Sequence, residues 1–136
     1  MASGDKRIGT QGDSMPFGTE LICVGPLLLL ADLSFVVYIP ANMGSVRVKK
    51  VRSVVTVTVT DSDSVTTIKN SSTSADMTGG TLTIAQNATP ATEDSCTIVD
   101  DANAIVEAEG YITLDIEGTS VTAGEAVFFI ELERCQ

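Results

Sequence analysis

Residues 46–60 read VRVKKVRSVVTVTVT, and this stretch has the clearest periodic pattern in the sequence. Apolar residues recur at every second position, which is the period of a β-strand with one buried face. They occupy positions 46 and 48, and then 51, 55, 57 and 59, so the buried parity changes at Lys49-Lys50. A β-bulge is the usual way for a strand to absorb such a one-residue slip. The stretch therefore predicts one long strand with a bulge at Lys49-Lys50.

The rest of the chain repeats this alternation in short segments separated by turn residues. Seventeen Thr and fifteen Val favour strands, because β-branched side chains fit a pleated, half-buried surface. The other strand candidates are 20–24, 33–39, 65–69, 81–85, 96–99, 111–117 and 126–133. We expect Gly25-Pro26 to end the first, a loop to cover 70–76, and Gly79-Gly80 to precede 81–85. Seven to eight strands predict an all-β fold, an antiparallel β-sandwich of the jelly-roll-like type.

The length of 136 residues is enough for one domain. Residues 19–136 are expected to form the β-sandwich domain. Residues 1–18 are Gly-rich and have little apolar content, so they predict an extended N-terminal arm. Within the domain, Phe35, Val37 and Ile39 share one parity and should face the core. Tyr38 should then face outward.

Composition argues against several classes of function. The net charge of −10 opposes binding to nucleic acid, and the absence of His removes the commonest general base and metal ligand. No nucleophile elbow, phosphate loop or dinucleotide fingerprint is present. The longest apolar run, residues 26–40, is shorter than the roughly 20 residues of a membrane helix, and no apolar signal segment opens the chain. We expect no enzymatic activity, no cofactor, no membrane partner, and synthesis in a cytoplasm.

Two acidic motifs each allow two interpretations. Asp61 and Asp63 lie in a tight turn, where they either bind a hard cation such as calcium or stabilise the turn through local backbone bonds. The pairs Asp115/Glu117 and Glu131/Glu133 resemble a hydrolytic carboxylate pair. Because both pairs lie on the outward side of regular strands, cross-strand charge pairing is the favoured interpretation.

Basic residues are concentrated in the first 52 residues, which carry six basic and four acidic side chains. The remaining residues carry two basic and fourteen acidic ones. Arg47, Lys49, Lys50 and Arg52 form the basic cluster. No aromatic residue interleaves with this cluster, as a reader of single-stranded nucleic acid would require. The cluster therefore predicts a protein-facing patch or internal pairing with the C-terminal Glu-containing strand.

Cys23, Cys96 and Cys135 are too widely spaced for a disulfide framework or a zinc site. We expect them to act as small buried hydrophobic residues in a reducing compartment, with an exposed thiol allowed at Cys135.

Five stretches together resemble capsid-associated proteins of tailed bacteriophages. They are FVVYIP (35–40), VRVKKVRSVVT (46–56), TGGTLTI (78–84), IVEAEGYITL (105–114) and AVFFIEL (126–132). The resemblance implies a small jelly-roll-like head decoration, or cement, protein that binds the major capsid protein. It also implies a homotrimer on the outer capsid surface of the virion and supplies no catalytic residue.

The arm and the basic cluster are the candidate contacts with the capsid or with a neighbouring subunit. In the arm these are Lys6 and Arg7 with the apolar anchors Ile8, Met15 and Phe17; in the domain they are Arg47, Lys49, Lys50 and Arg52. The alternative for the arm is that it folds back on its own domain.

A receptor-binding or carbohydrate-binding β-sandwich module of a phage tail or tip is the alternative function. Sugar-binding surfaces use exposed aromatic side chains, and here Tyr38 and Tyr111 are the only tyrosines, with no Trp. A carboxylate-dependent hydrolase is the third hypothesis, and no activated nucleophile in the sequence supports it.

Overall fold

The computed structural model describes residues 19–29, 32–117 and 121–135, which contain nine β-strands and two short 3-10 helices. The strands are β1 Thr19–Leu28, β2 Leu33–Tyr38, β3 Val46–Thr60, β4 Ser64–Asn70, β5 Ala75–Ile84, β6 Glu93–Thr97, β7 Ile105–Val106, β8 Tyr111–Glu117 and β9 Ala123–Arg134. The predicted all-β antiparallel sandwich is confirmed. Residues 1–18, with all five arm candidates, lie outside the described residues.

The strands form two antiparallel sheets. In each sheet, a strand from the early part of the chain pairs with a strand from its late part. The five-stranded sheet has the order β1-β9-β3-β6, with the two-residue β7 also paired to β3, and the four-stranded sheet has the order β2-β8-β4-β5. Thus β1 pairs with β9, β2 with β8, β3 with β6, and β4 with β5. A long hairpin rolled up in this manner is the topology of a jelly roll.

The predicted bulge in β3 is confirmed at Lys49. Lys50 lies opposite Glu131 of β9, and Val48 lies opposite the next residue, Leu132, so Lys49 is the extra residue. Val46, Val48 and Val51 are all fully buried, because the bulge restores the inward face after the slip. This single insertion keeps a 15-residue strand in contact with one core.

The prediction that Val57 faces the core is wrong. Two further register shifts between β3 and β9 flank this residue, which pairs with Glu125 on the outward side. The side chain of Val57 is consequently 43% exposed, whereas Val55 and Val59 on either side are buried. Alternation in the sequence did not reveal these shifts, since Thr56 and Thr58 fit either face.

The core lies between the two sheets and is mainly aliphatic, although Ser53, Ser64 and Thr66 are also fully buried. Its largest fully buried side chains are Phe128, Leu29, Ile39, Ile68, Leu82, Ile84, Ile112, Leu114, Ile116, Ile130, Leu132 and Val46. The predicted inward side of β2 is confirmed, because Val37 and Ile39 are buried and Phe35 packs against the core. No helix in the described residues is long and apolar enough to cross a membrane.

Several strand limits differ from those predicted: β6 runs over Glu93–Thr97 rather than 96–99, β9 begins at Ala123 rather than at residue 126, and β1 and β5 are longer than expected. β1 continues through Gly25-Pro26, which is a cis peptide, as far as Leu28. Proline is tolerated there because β1 is the edge strand of its sheet. β5 begins at Ala75, so the predicted loop shrinks to a turn over residues 71–74. β7 is a ninth strand, too short for any periodic signal.

Gly79 lies within β5 rather than before it, in an irregular segment that joins the edges of the two sheets. Residues between Asp76 and Thr81 leave the register of β4, and Gly79 has a φ of 81°. A Cβ at this position would lie 2.6 Å from the backbone oxygen of Thr97 in β6, so only glycine fits. The carbonyl of Thr78 accepts a hydrogen bond from Val99 N at 2.9 Å, which ties this edge to the other sheet.

Candidate functional site

The outward side of the five-stranded sheet, called here the outer face, is the first candidate surface. Cross-strand pairing places its side chains in rows. The middle row runs Cys23, Phe129, Arg52 and Ser95 across β1, β9, β3 and β6. Val127 and Val54 form the next row, followed by Leu28, Glu125 and Val57. Phe129 therefore adjoins Cys23, and Val127 adjoins Val54, across the strands of this face, while Glu125 lies between Leu28 and Val57.

Several of these apolar side chains are exposed to solvent. Leu21 is 54% exposed, Leu28 is 53% exposed, and Val57 is exposed as described above. Phe129, Val127 and Val54 are half-buried between them. Contiguous exposed apolar surface with a polar rim is typical of a docking site for another macromolecule.

The expectation that Cys23 is buried is wrong. Its side chain is exposed because it lies beside Phe129 on the outward side of edge strand β1. Cys96 is buried, and burial raises the pKa of its thiol. Cys135 is half-buried.

The basic cluster extends along β3 from Arg52, in the middle row of the outer face, to Arg47 near the end of the sheet, and most of its charge is paired within the molecule. Arg47 Nη2 donates a hydrogen bond to Glu133 Oε1 at 2.7 Å, and Arg52 Nη1 bonds Glu93 Oε2 at 3.0 Å. Lys49 Nζ lies 3.8 Å from Glu133 Oε2. The predicted pairing with the C-terminal strand is therefore confirmed for Arg47 and Lys49.

Lys50 differs from its neighbours in the cluster. Among the described residues no carboxylate forms an ion pair with it, although its side chain shares the outward side of the sheet with Glu131 on β9. Lys49 occupies the bulge, and both consecutive lysines are half-buried on β3, an interior strand of the sheet. Within the described part of the chain, Lys50 is thus the cation of the cluster without an ion pair.

The ion pairs of Glu133 with the basic cluster make the stability of the fold depend on pH in the acid range. The hydrogen bond from Arg47 lowers the pKa of the Glu133 carboxyl, helped by the charges of Arg47 and Lys49, while burial opposes the shift. A carboxyl group whose pKa is lowered by folding stabilises the folded protein at pH values above its ordinary pKa of 4.5. This stabilisation is lost as the pH falls through the lowered pKa of the folded state.

Glu133→Gln is therefore expected to lower the Tm at neutral pH and to leave it nearly unchanged well below pH 4.5. Because the pair is partly exposed, the difference should be a few degrees at most. Thermal unfolding of both proteins across the acid range measures this effect. Glu131→Gln is the matched control, since Glu131 is the neighbouring carboxylate on the same side of β9. An equal Tm difference at all pH values would contradict this role for Glu133.

The first described strand, β1, begins next to this cluster. Thr19, the first described residue, pairs with Glu133, which in turn pairs with Arg47 on β3. Lys6, Arg7, Ile8, Met15 and Phe17 lie outside the described residues.

The outward side of the four-stranded sheet is the second candidate surface. Tyr38 of β2 and Tyr111 of β8 are directly opposite each other in the register. Their side chains are 56% and 43% exposed, so the prediction that Tyr38 faces outward is confirmed. A pocket of about 260 Å³ lies beside Tyr111 and is lined mainly by polar residues.

The turn that carries Asp61 and Asp63 is held by bonds to distant parts of the chain. Asp63 Oδ1 accepts a hydrogen bond from Gln86 N at 2.8 Å, and Asp61 Oδ2 accepts one from the hydroxyl of Thr122. The carboxylates therefore stabilise the turn, though through neighbouring segments rather than through the local backbone that we predicted. Within the described ranges, no group of three or more metal-ligating side chains comes together.

The acidic strand pairs also bond to neighbouring strands. Asp115 Oδ2 lies 3.6 Å from Lys69 Nζ on β4, and Glu133 is bound to Arg47. Cross-strand charge pairing, the favoured interpretation of these carboxylates, is confirmed for both residues.

Sequence reasoning missed the apolar part of the outer face. Leu21 and Leu28 lie in β1, where apolar residues do not alternate with polar ones. The sequence therefore did not predict which side chains of β1 face outward. The available signal was the excess of apolar residues in 20–30, more than one buried face of an edge strand can hold. The pocket beside Tyr111 was also missed, because it depends on the tight turn at 71–74.

A scan against models of protein families and a search of curated proteins both return no match for this chain.

Proposed function

We propose that this chain is a non-enzymatic structural virion protein, a cement protein that binds the outer surface of a tailed-phage capsid. The observation that carries the proposal is the apolar outer face, with its exposed leucines and half-buried Phe129. The sequence resemblance to head decoration proteins supports the same role. Its partner is the major capsid protein, and its place in the virion is the outer capsid surface.

The charge arrangement of the outer face favours a protein partner. The cores of protein interfaces are depleted of charge and enriched in aromatic residues and Arg. Here the ion pairs Arg47–Glu133 and Arg52–Glu93 neutralise charges that a docking partner would otherwise have to desolvate. Phe129 and Arg52 lie side by side near the centre of the face. A hydrophobic centre with internally paired charges suits a stable contact with another protein.

The mechanism of stabilisation is mass action. A protein that binds only the assembled shell stabilises that shell by RT ln(1 + [L]/Kd). A homotrimer matches the local three-fold positions of a shell and multiplies weak contacts through avidity. No chemical step is required of the chain.

Quantitative mass spectrometry of purified virions tests this role. A cement protein covers the shell, so we expect hundreds of copies of the chain in each virion. A handful of copies would overturn the cement role and favour the tail or tip.

Deletion of residues 2–15 tests the arm as an anchor. We expect the shortened protein to fold, because the described sandwich begins at Thr19. Its affinity for shells should fall at least tenfold, about 1.4 kcal/mol, through loss of Ile8 and Met15. Co-sedimentation with shells that lack the protein measures the affinity. Undiminished binding by the shortened protein would exclude the arm as an anchor.

The second candidate function is a receptor-binding or carbohydrate-binding module of a tail or tip. The observation that favours it is the exposed pair Tyr38 and Tyr111 on the opposite sheet. Copy number separates the two candidates, since a tip module is needed only a few times per virion.

A further inference from the structure

The exposed tyrosines form an aromatic surface of defined spacing. Tyr38 and Tyr111 are opposite residues on adjacent antiparallel strands, and such residues have Cβ atoms about 4.5–5.5 Å apart. Both strands are fixed in the sheet by a continuous register from Leu33–Ile116 to Tyr38–Tyr111. The two rings therefore project from one rigid surface into solvent. Aromatic faces are electron-rich and attract the polarised C–H groups on the flat side of a pyranose ring.

The pocket adds polar groups next to this aromatic surface. Its lining includes Tyr111 itself, Thr113, Ser71, Ser74, Lys69 and Asp76. Hydroxyl, ammonium and carboxylate groups together donate and accept hydrogen bonds, as a ligand with many hydroxyl groups requires. The volume of about 260 Å³ is below that of a typical drug-sized pocket and is suited to one sugar unit.

Hydrogen bonds fix the turn that closes the pocket. Ser71 Oγ accepts a bond from Tyr111 N at 2.8 Å, so the turn is attached to the strand that bears the aromatic ring. The buried amide of Asn70 donates to the carbonyls of Asn103 and Ile105 at 2.8 and 2.7 Å and accepts from Ser72 N. The pocket is therefore formed before any ligand arrives, which lowers the ordering cost of binding.

The charges at the pocket select against acidic ligands. Lys69 Nζ lies 3.4 Å from Asp76 and 3.6 Å from Asp115, so one cation is shared by two carboxylates. Its pKa is raised, first by the hydrogen bond to Asp76, and it stays protonated at neutral pH. One negative charge remains at the site, on a chain whose net charge is −10. Nucleic acids and acidic sugars are repelled.

We propose that Tyr38, Tyr111 and the adjoining pocket bind a neutral saccharide, with a sugar ring stacked on the tyrosines and a neighbouring unit in the pocket. The site lies on the sheet opposite the outer face, so it stays open when the outer face is bound to a shell. The inference deepens the second candidate function and does not depend on the cement role, so its failure would leave the cement role intact.

Titration of ¹⁵N-labelled full-length protein with oligosaccharides tests the proposal by NMR. The neutral probes are lactose, maltotriose, cellotriose and triacetylchitotriose. The acidic probes are 3′-sialyllactose, which is lactose with one added acidic sugar, and trigalacturonic acid. At least one neutral probe should shift the amide signals of Lys69, Ser74 and Tyr111, with Kd in the millimolar range. Neither acidic probe should bind as tightly.

Variants locate the binding on the tyrosines. Tyr38→Ala and Tyr111→Ala should each weaken binding of the active sugar at least tenfold, whereas Tyr111→Phe retains the ring and should bind within a few-fold. Leu28→Ala, on the opposite sheet, should bind as the parent protein does, and unfolding midpoints confirm that each variant is folded. No shift with any neutral probe, unchanged binding in both Ala variants, or binding of a proline-rich peptide at these residues in place of the sugars would overturn the proposal.

Discussion

Replacing Phe128 with alanine is expected to lower the free energy of unfolding by about 3–5 kcal/mol. Phe128 is fully buried on β9, which lies between β1 and β3 in the five-stranded sheet. Its inward neighbours Ser53, directly opposite on β3, and Ala126, two residues earlier, are both small. Because neither can extend into the space that the ring leaves, the substitution creates a cavity in addition to the lost burial.

Urea unfolding of the purified domain measures this loss, provided that the slope of the transition is unchanged. The matched control is Phe129→Ala, the same substitution one residue later. Phe129 faces outward and is half-buried, so its loss should cost well under half as much. Equal destabilisation by the two variants would contradict the assignment of Phe128 to the core and Phe129 to the outer face.

Phe129→Ala is expected instead to weaken binding to shells by roughly 30-fold, about 2 kcal/mol. Under the proposed function, Phe129 lies at the centre of the surface that meets the capsid protein, between Cys23 and Arg52. Central aromatic residues surrounded by a rim that excludes water contribute most of the binding energy of protein interfaces. The substitution removes contacts in the part of the interface from which water is most fully excluded.

Val36→Ala is the control for this experiment. Val36 is 51% exposed on the outward side of the other sheet, so its substitution also removes exposed apolar surface. It should leave shell binding unchanged if the outer face of the five-stranded sheet is the docking surface. A loss of binding in Val36→Ala with none in Phe129→Ala would assign docking to the opposite sheet.

Most of the fold could be predicted from the sequence because inward and outward positions alternate clearly in β3, β8 and β9. The bulge at Lys49 was also predictable, because the buried positions change parity at Lys49-Lys50. The exposure of Val57 was not predictable, because threonines on both sides of it are acceptable in either environment. The pairing of strands distant in sequence, such as β1 with β9, followed only from the general jelly-roll expectation.

The candidate sites were less predictable, because they depend on which strands become neighbours. The partners of Arg47 and Arg52, Glu133 and Glu93, are far away in the sequence and meet them only through sheet pairing. Tyr38 could be placed outward from parity alone, but its position opposite Tyr111 required the register of β2 with β8. Leu21 and Leu28 gave no periodic signal at all.

The most direct test of the cement role is the temperature at which virions release their DNA, measured with and without the chain. Virions that lack the chain should release DNA at a lower temperature, and addition of the purified protein should restore the original value. Phe129→Ala protein should restore it only at higher concentration, because weaker binding is overcome by mass action. Equal release temperatures with and without the chain would contradict the proposal that it clamps the shell.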